Sequence, residues 1–278
     1  MSVVGPSRER EISGGLVSEQ ASQGAFFAFS LLLFAATVGV TVILCESMAA
    51  MGRMPMPGGW TMSMAWMRMP GQTWLGAAAS FLGMWIVMMA AMMLPSLVLM
   101  LWRYRQAVDS TGETRLGLLT AIVGIGYFLV WIMFGMAAFP VGVLLATLAM
   151  KQPALALAVP IAVGVVVLLA GCLQLTSWKA RQLACCREVP GRERTLAADG
   201  ATAWRHGVHL GLHCCRCCAG LMAILLVIGV MDLRAMAIVG AVITLERLAP
   251  AGDRVARATG AVFMGAGLFL IAQAVGLG

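Results

Sequence analysis

The segment from residue 74 to residue 101, WLGAAASFLGMWIVMMAAMMLPSLVLML, decides the fold class of this chain. It contains no charged residue, and it is longer than the roughly 20 apolar residues that a helix needs to cross the hydrocarbon core of a bilayer. Further apolar runs occupy residues 25–50, 116–149, 154–177, 208–231, 234–248 and 258–277. We therefore predict an all-α fold, a polytopic transmembrane helical bundle with about seven spans.

The composition supports one membrane domain. Of 278 residues, 61% are hydrophobic and 11% are charged, with a mean hydropathy of +0.91. A soluble domain cannot hide that much apolar surface, because its outer face must be wet. We predict a single transmembrane domain over residues 25–278, preceded by a disordered cytoplasmic tail, 1–24. The net charge of +7 lies in short connections without a basic, aromatic-interleaved patch, which argues against nucleic acid as a partner.

The distribution of basic residues predicts the topology. With seven spans, 14 lysines and arginines fall on one side of the membrane and 4 on the other. The positive-inside rule then places the N-terminus in the cytoplasm, in a bacterial cytoplasmic membrane. Dividing the run 116–149 at Pro140 would erase this bias, so we predict one span there. A Met-rich outer loop, 51–73, and a basic inner loop, 178–207, follow from the same assignment.

Methionines mark the outer loop and the second span. The loop contains three Met-x-Met pairs: Met54/Met56, Met62/Met64 and Met67/Met69. In the second span, Met84, Met88 and Met92 repeat every four residues on one helix face, and Met89 and Met93 flank them. Thioethers bind soft Cu(I) without deprotonation, so the methionines could capture and pass the ion. Alternatively, they only bury apolar area and pack helices.

Histidines and cysteines gather at the start of the fifth span. All three histidines of the chain, His206, His209 and His213, precede Cys214, Cys217 and Cys218. On a helix, His206, His213 and Cys217 fall within about 40° of one another, and the other two thiols border the same stripe. This pattern predicts a site for copper or zinc. Alternatively, cysteine serves here as a small hydrophobic residue.

Two further features bear on this site. Cys186, in the basic inner loop, could complete it or pass the metal to a soluble carrier; alternatively, this is a solvated basic loop whose thiols have no role. Arg216 lies among the cysteines, where a buried charge would be costly, so its side chain either extends to the cytoplasmic surface or binds an anion or a carboxylate. We hypothesise that Glu246 pairs with Arg216.

Several of these segments together resemble a bacterial family, the predicted metal-binding integral membrane proteins. The resemblance is carried by MWIVMMAAMMLPS at 84–96, Lys179 with Cys186-Arg187, GLHC at 211–214, Cys217-Cys218, and Glu246 with PAG at 250–252. It implies a multi-span helical protein with a metal-related role. The chain departs from the family pattern at Gln182, Ala219, Asp232 and Arg216; a cysteine is expected at the first position and an asparagine at Asp232.

The leading hypothesis is a non-enzymatic membrane protein for binding, transfer or uptake of a soft metal, with copper favoured. Outer methionines would capture the ion and the inner Cys/His groups would receive it. Its partners would be the lipid bilayer and a metal chaperone or metalloenzyme. Two alternatives stay open: a membrane thiol oxidoreductase that uses the Cys214-x-x-Cys217 spacing, and a non-catalytic subunit of a membrane complex.

Overall fold

The computed structural model describes residues 6–52, 54–69, 71–108, 113–187 and 199–276, and these residues form an almost entirely helical bundle. In chain order the elements are α1 (Pro6–Ala50), β1 (Met54–Pro55), β2 (Thr61–Met62), a 3-10 turn (Met64–Trp66), α2 (Trp74–Ala107), α3 (Glu113–Lys151), α4 (Pro153–Gln174), α5 (Ser177–Arg187), α6 (Gly200–Ile228), α7 (Leu233–Leu248) and α8 (Gly252–Ala274). The predicted all-α polytopic bundle is confirmed.

Six helices among the described residues are long and apolar enough to cross a membrane: α1, α2, α3, α4, α6 and α8. The third span is a single helix with Pro140 inside it, as predicted. The remaining predicted span, α7, has 16 residues. At 1.5 Å per residue it is about 24 Å long, shorter than the roughly 30 Å of a hydrocarbon core.

Helices extend beyond the predicted membrane boundaries in three places. The helix α1 begins at Pro6 and therefore includes most of the segment predicted to be a disordered tail. Helix α5 occupies the start of the predicted inner loop, and α6 begins at Gly200, within the same loop. The sequence prediction ended each helix where polar residues begin, but a helix continues into water when its residues favour it and a cap is provided.

The cap of α6 is Asp199. Its carboxylate accepts hydrogen bonds from the Thr202 backbone N–H at 2.7 Å and from the Thr202 hydroxyl at 2.9 Å. These hydrogen bonds hold the pKa of Asp199 below its ordinary value, because they stabilise the charged form. The carboxylate also lies favourably at the positive end of the helix dipole.

Glycines allow the closest helix contacts. A Cβ added at Gly207 of α6 would lie 2.3 Å from the backbone oxygen of Val123 in α3. On the other side of the bundle, a Cβ at Gly267 of α8 would lie 2.6 Å from the backbone nitrogen of Leu168 in α4. Small residues let membrane helices approach in this way, and dispersion contacts then hold them together.

The Met-rich loop between α1 and α2, predicted to be the outer loop, is folded. Its two strands pair antiparallel, with Met54 opposite Met62. Met62 is 3% exposed and packs with Ala146 and Ala149 near the end of α3. The indole N–H of Trp60 donates a hydrogen bond to the backbone oxygen of Ala156 at 2.9 Å, which fixes the hairpin to the start of α4.

The lateral surface of the bundle, formed by the helix faces that point away from its core, is apolar. Leu75 is 82% exposed, Leu32 is 70% exposed and Val262 is 68% exposed. Such a continuous apolar surface would be unfavourable in water and is the surface expected to face lipid.

We expect Gly207→Ala to destabilise the bundle by about 1–3 kcal/mol, because its methyl group would force α6 away from α3. Gly124→Ala is the matched control: a Cβ there meets nothing within 4 Å, and alanine should favour the helix by about 1 kcal/mol. Thermal unfolding of the two purified variants in one detergent would measure the difference. Equal stability of both variants would contradict the packing described here.

Candidate metal centre

Three buried thiols lie together on α6. Cys214, Cys217 and Cys218 are 0%, 3% and 1% exposed. Their spacing of three and four residues places them on one face of the helix, directed into the bundle. The Cys218 thiol lies beside the thiols of Cys214 and Cys217. Cys215, which points elsewhere, is only half-buried. The described cysteines are all free thiols, so the cluster offers sulfur ligands.

Two neighbouring helices contribute groups to this cluster. The sulfur of Met93, on α2, lies 3.9 Å from the Cys214 sulfur. The hydroxyl oxygen of Tyr127, on α3, lies 2.9 Å from the same sulfur. Both residues are fully buried. Thiol, thioether and phenol groups from three helices therefore meet at Cys214.

A buried ion pair lies beside the cluster. Lys179 Nζ is 2.7 Å from Glu246 Oε2, and it also donates a hydrogen bond to the backbone oxygen of Cys217 at 2.7 Å. The other carboxylate oxygen accepts hydrogen bonds from Gln174 at 2.8 Å and from Thr259 at 3.3 Å. These contacts join α4, α5, α6, α7 and α8 at the level of Cys217.

The hypothesis that Glu246 pairs with Arg216 is wrong. Glu246 pairs with Lys179. Arg216 is exposed on α6, because residue 216 falls on the helix face opposite to the three buried thiols.

A second buried cation, Arg247, lies close to the thiols. It is 6% exposed and donates a hydrogen bond from Nη1 to the Ser96 hydroxyl at 3.2 Å. Its guanidinium interacts electrostatically with Cys214 and Cys218. A positive charge in this place stabilises negatively charged thiolates, which are the forms of cysteine that bind metal.

The histidines extend from the cluster toward the start of α6. His213 Nε2 lies 3.3 Å from His209 Nε2, and His213 interacts electrostatically with Cys217. His206 stacks on Tyr104 of α2, with ring centroids 5.3 Å apart. Among the described side chains, no three or more His, Cys, Asp or Glu residues are arranged as a ready set of metal ligands. The predicted His/Cys stripe is thus spread along the helix.

The predicted methionine stripe is divided between two surroundings. Met88 and Met92 line an apolar cavity of about 680 Å³ between α1, α2 and α7. Met84 is half-buried against the core. The structure instead brings Met93, which flanks the predicted stripe, to the thiols. The side chain of Cys186 lies outside the described residues, so its role stays a prediction.

Sequence reasoning missed Tyr127 and Arg247, and it gave Lys179 no role at this site. One signal was available in the sequence. Lys179, Arg247 and Glu246 stand within or beside apolar runs, where an ionisable residue needs a specific partner. Nothing in the pattern could say which residues are the partners, because the contacts join distant helices.

Comparison with known proteins gives one match. Residues 82–270, more than half of the chain, match the family model described as PpoB2: Copper chaperone. The matched region includes the thiol cluster, the ion pair and Arg247. Neither the curated proteins nor the solved structures contain a match to this chain. The expected relation to copper is thereby confirmed at the level of the family.

We expect Glu246→Gln to destabilise the protein by about 3–5 kcal/mol, because it leaves the Lys179 ammonium buried without a counter-charge. Lys179→Met combined with Glu246→Gln should recover most of this loss, since no buried charge remains. Chemical unfolding in detergent would measure both variants. The ion pair would have no such role if the single variant were as stable as the wild type, or the double variant less stable than the single.

Proposed function

The chain belongs to the PpoB2 copper chaperone family, and we propose that it holds Cu(I) at the buried thiols of α6 within a bacterial cytoplasmic membrane. The bound ion is cargo, which the protein passes to a partner metalloenzyme or to another metal carrier. Copper fits better than zinc, because a thioether is a ligand for soft Cu(I) and a poor one for Zn(II).

The observation that carries this proposal is the meeting of soft donors at Cys214. Its sulfur lies 3.9 Å from the thioether sulfur of Met93, and the two other buried thiols of α6 lie beside it. Small rotations of these side chains would direct two or three sulfur atoms at one ion. Met93 comes from α2 and the three cysteines come from α6, so rigid helices hold the ligands.

The charges around the thiols suit a monovalent ion. Two thiolates and one Cu(I) carry a net charge of −1, and burying that charge in a bundle would be costly without compensation. The Arg247 guanidinium supplies the opposite charge. Lys179 and Glu246 neutralise each other and leave this balance unchanged.

A route for delivery begins at His213. This side chain is close to Cys217 and to His209, and His209 is exposed on α6. Imidazoles also bind copper. We place this end of α6 on the cytoplasmic side, because the basic connections of the chain lie at the same end.

The burial of the thiols argues against the alternative of a thiol oxidoreductase. Thiol–disulfide exchange requires a second thiol to reach the attacked sulfur, and access controls its rate. Cys214 and Cys218 are no more than 1% exposed. A small ion reaches such a site more easily than a protein thiol does.

The direct test is a Cu(I) titration of the full-length protein in detergent against a chromogenic Cu(I) chelator. We expect Cys214→Ser with Cys217→Ser to lose one equivalent of bound Cu(I), because hydroxyl groups are hard, weak ligands for this ion. Cys215→Ser is the matched control on the same helix, since its thiol lies outside the cluster. It should keep the full stoichiometry.

An unchanged Cu(I) stoichiometry in the double variant would contradict the assigned thiols. An equal loss in the Cys215→Ser control would also contradict them, because the effect would then not depend on the cluster.

A further inference from the structure

A cavity lined by several sulfur-containing residues lies at the end of α6 opposite to the histidines. It has a volume of about 630 Å³ and is enclosed by the hairpin and by the adjoining ends of α1, α4, α6 and α8. Five sulfur-containing residues line it: Cys45, Met48, Met62, Met64 and Met231. Of the three Met-x-Met pairs in the outer loop, Met62/Met64 is the pair that lines this cavity.

The electrostatics of the cavity favour a cation. Among the described residues that line it, Asp232 is the only charged one. The Cys45 thiol is 5% exposed and lies close enough to Asp232 for an electrostatic interaction. Asp232 also caps α7: one carboxylate oxygen accepts hydrogen bonds from the backbone nitrogens of Arg234 and Ala235, both at 2.9 Å. The cap fixes the position of the carboxylate, which interacts with the Cys45 thiol.

The cavity is distinct from the thiol cluster. Leu226, the first residue of α6 that lines the cavity, comes eight residues after Cys218, so about 12 Å lies between the two sites along α6. Both sites nevertheless border one contiguous buried cluster. Cys45, Met89, Met93 and Cys214 all belong to it.

We propose that this cavity is a second Cu(I) site, which takes the ion before the thiols of α6 receive it. The proposal rests on the proposed function of the α6 thiols. Uncharged thioethers bind Cu(I) at any biological pH and more weakly than thiolates, so an ion captured here can move on to the stronger site. Asp232 and the Cys45 thiol add one negative charge and a further sulfur.

The position of the cavity suits capture. It lies at the end of the bundle that carries few basic residues, which the positive-inside rule places outside. Asp232 stands where the family resemblance leads us to expect an asparagine. This chain therefore has a carboxylate where a neutral amide would cap α7 equally well.

The test counts Cu(I) ions bound by the full-length protein in lipid nanodiscs. We expect two ions in the wild type, one in Met62→Leu/Met64→Leu, one in Cys214→Ser/Cys217→Ser, and none when the four substitutions are combined. Leucine keeps the volume of methionine and removes the sulfur. Met133→Leu/Met136→Leu is the matched control, because both residues are more than half exposed on the apolar surface of α3. It should bind two ions.

A second variant tests the charge. Asp232→Asn preserves the helix cap, so the thermal stability should not change. In the background of Cys214→Ser/Cys217→Ser, we expect it to weaken Cu(I) binding by about tenfold, since the carboxylate no longer attracts the ion.

The outcomes separate the two proposals. If the wild type binds one ion and the cysteine variant alone loses it, the cavity is not a site and the proposed function stands. The inference is overturned if the Met62→Leu/Met64→Leu protein still binds two ions. It is also overturned if Asp232→Asn does not change the Cu(I) affinity of the Cys214→Ser/Cys217→Ser protein. If the cysteine variant still binds two ions, the proposed function itself fails.

Discussion

The buried ion pair between Lys179 and Glu246 determines how the half of the bundle that holds the α6 thiols is assembled. Two opposite charges removed from water are costly to separate, because either one alone would be left in a medium of low dielectric constant. Three groups complete their surroundings: Gln174 and Thr259 donate hydrogen bonds to the carboxylate, and the Cys217 carbonyl accepts one from the ammonium. Five helices are thereby fixed around one point, and the thiols of α6 are fixed with them.

This arrangement explains why a copper site would be placed inside a membrane bundle. The α6 thiols are shielded from water and from other thiols, which limits oxidation and unwanted exchange. Arg247 supplies a positive charge next to them. The sulfur groups at the far end of α6 are mostly thioethers, which bind soft ions more weakly. Membership in the PpoB2 copper chaperone family agrees with a protein that holds copper in transit.

The fold was largely predictable from the sequence, and the contacts of the site were not. Apolar runs of bilayer length and the asymmetry of basic residues predicted the helices, including the single span across Pro140. Periodicity correctly placed Cys214, Cys217 and Cys218 near one face. It could not show that Met93, rather than Met88 or Met92, faces them, because a helical repeat does not identify the neighbouring helix. The partner of Glu246 was misassigned for the same reason: Arg216 is nearer in the sequence to the thiols, but it points outward.

X-ray absorption of the protein loaded with one equivalent of Cu(I) tests the central claim most directly, because it reports which atoms bind the ion. We expect the spectrum of the wild type to show a first coordination shell made of sulfur alone. The spectrum of the Cys214→Ser/Cys217→Ser variant should differ from it. A shell dominated by nitrogen or oxygen, or a spectrum unchanged by that variant, would contradict the account.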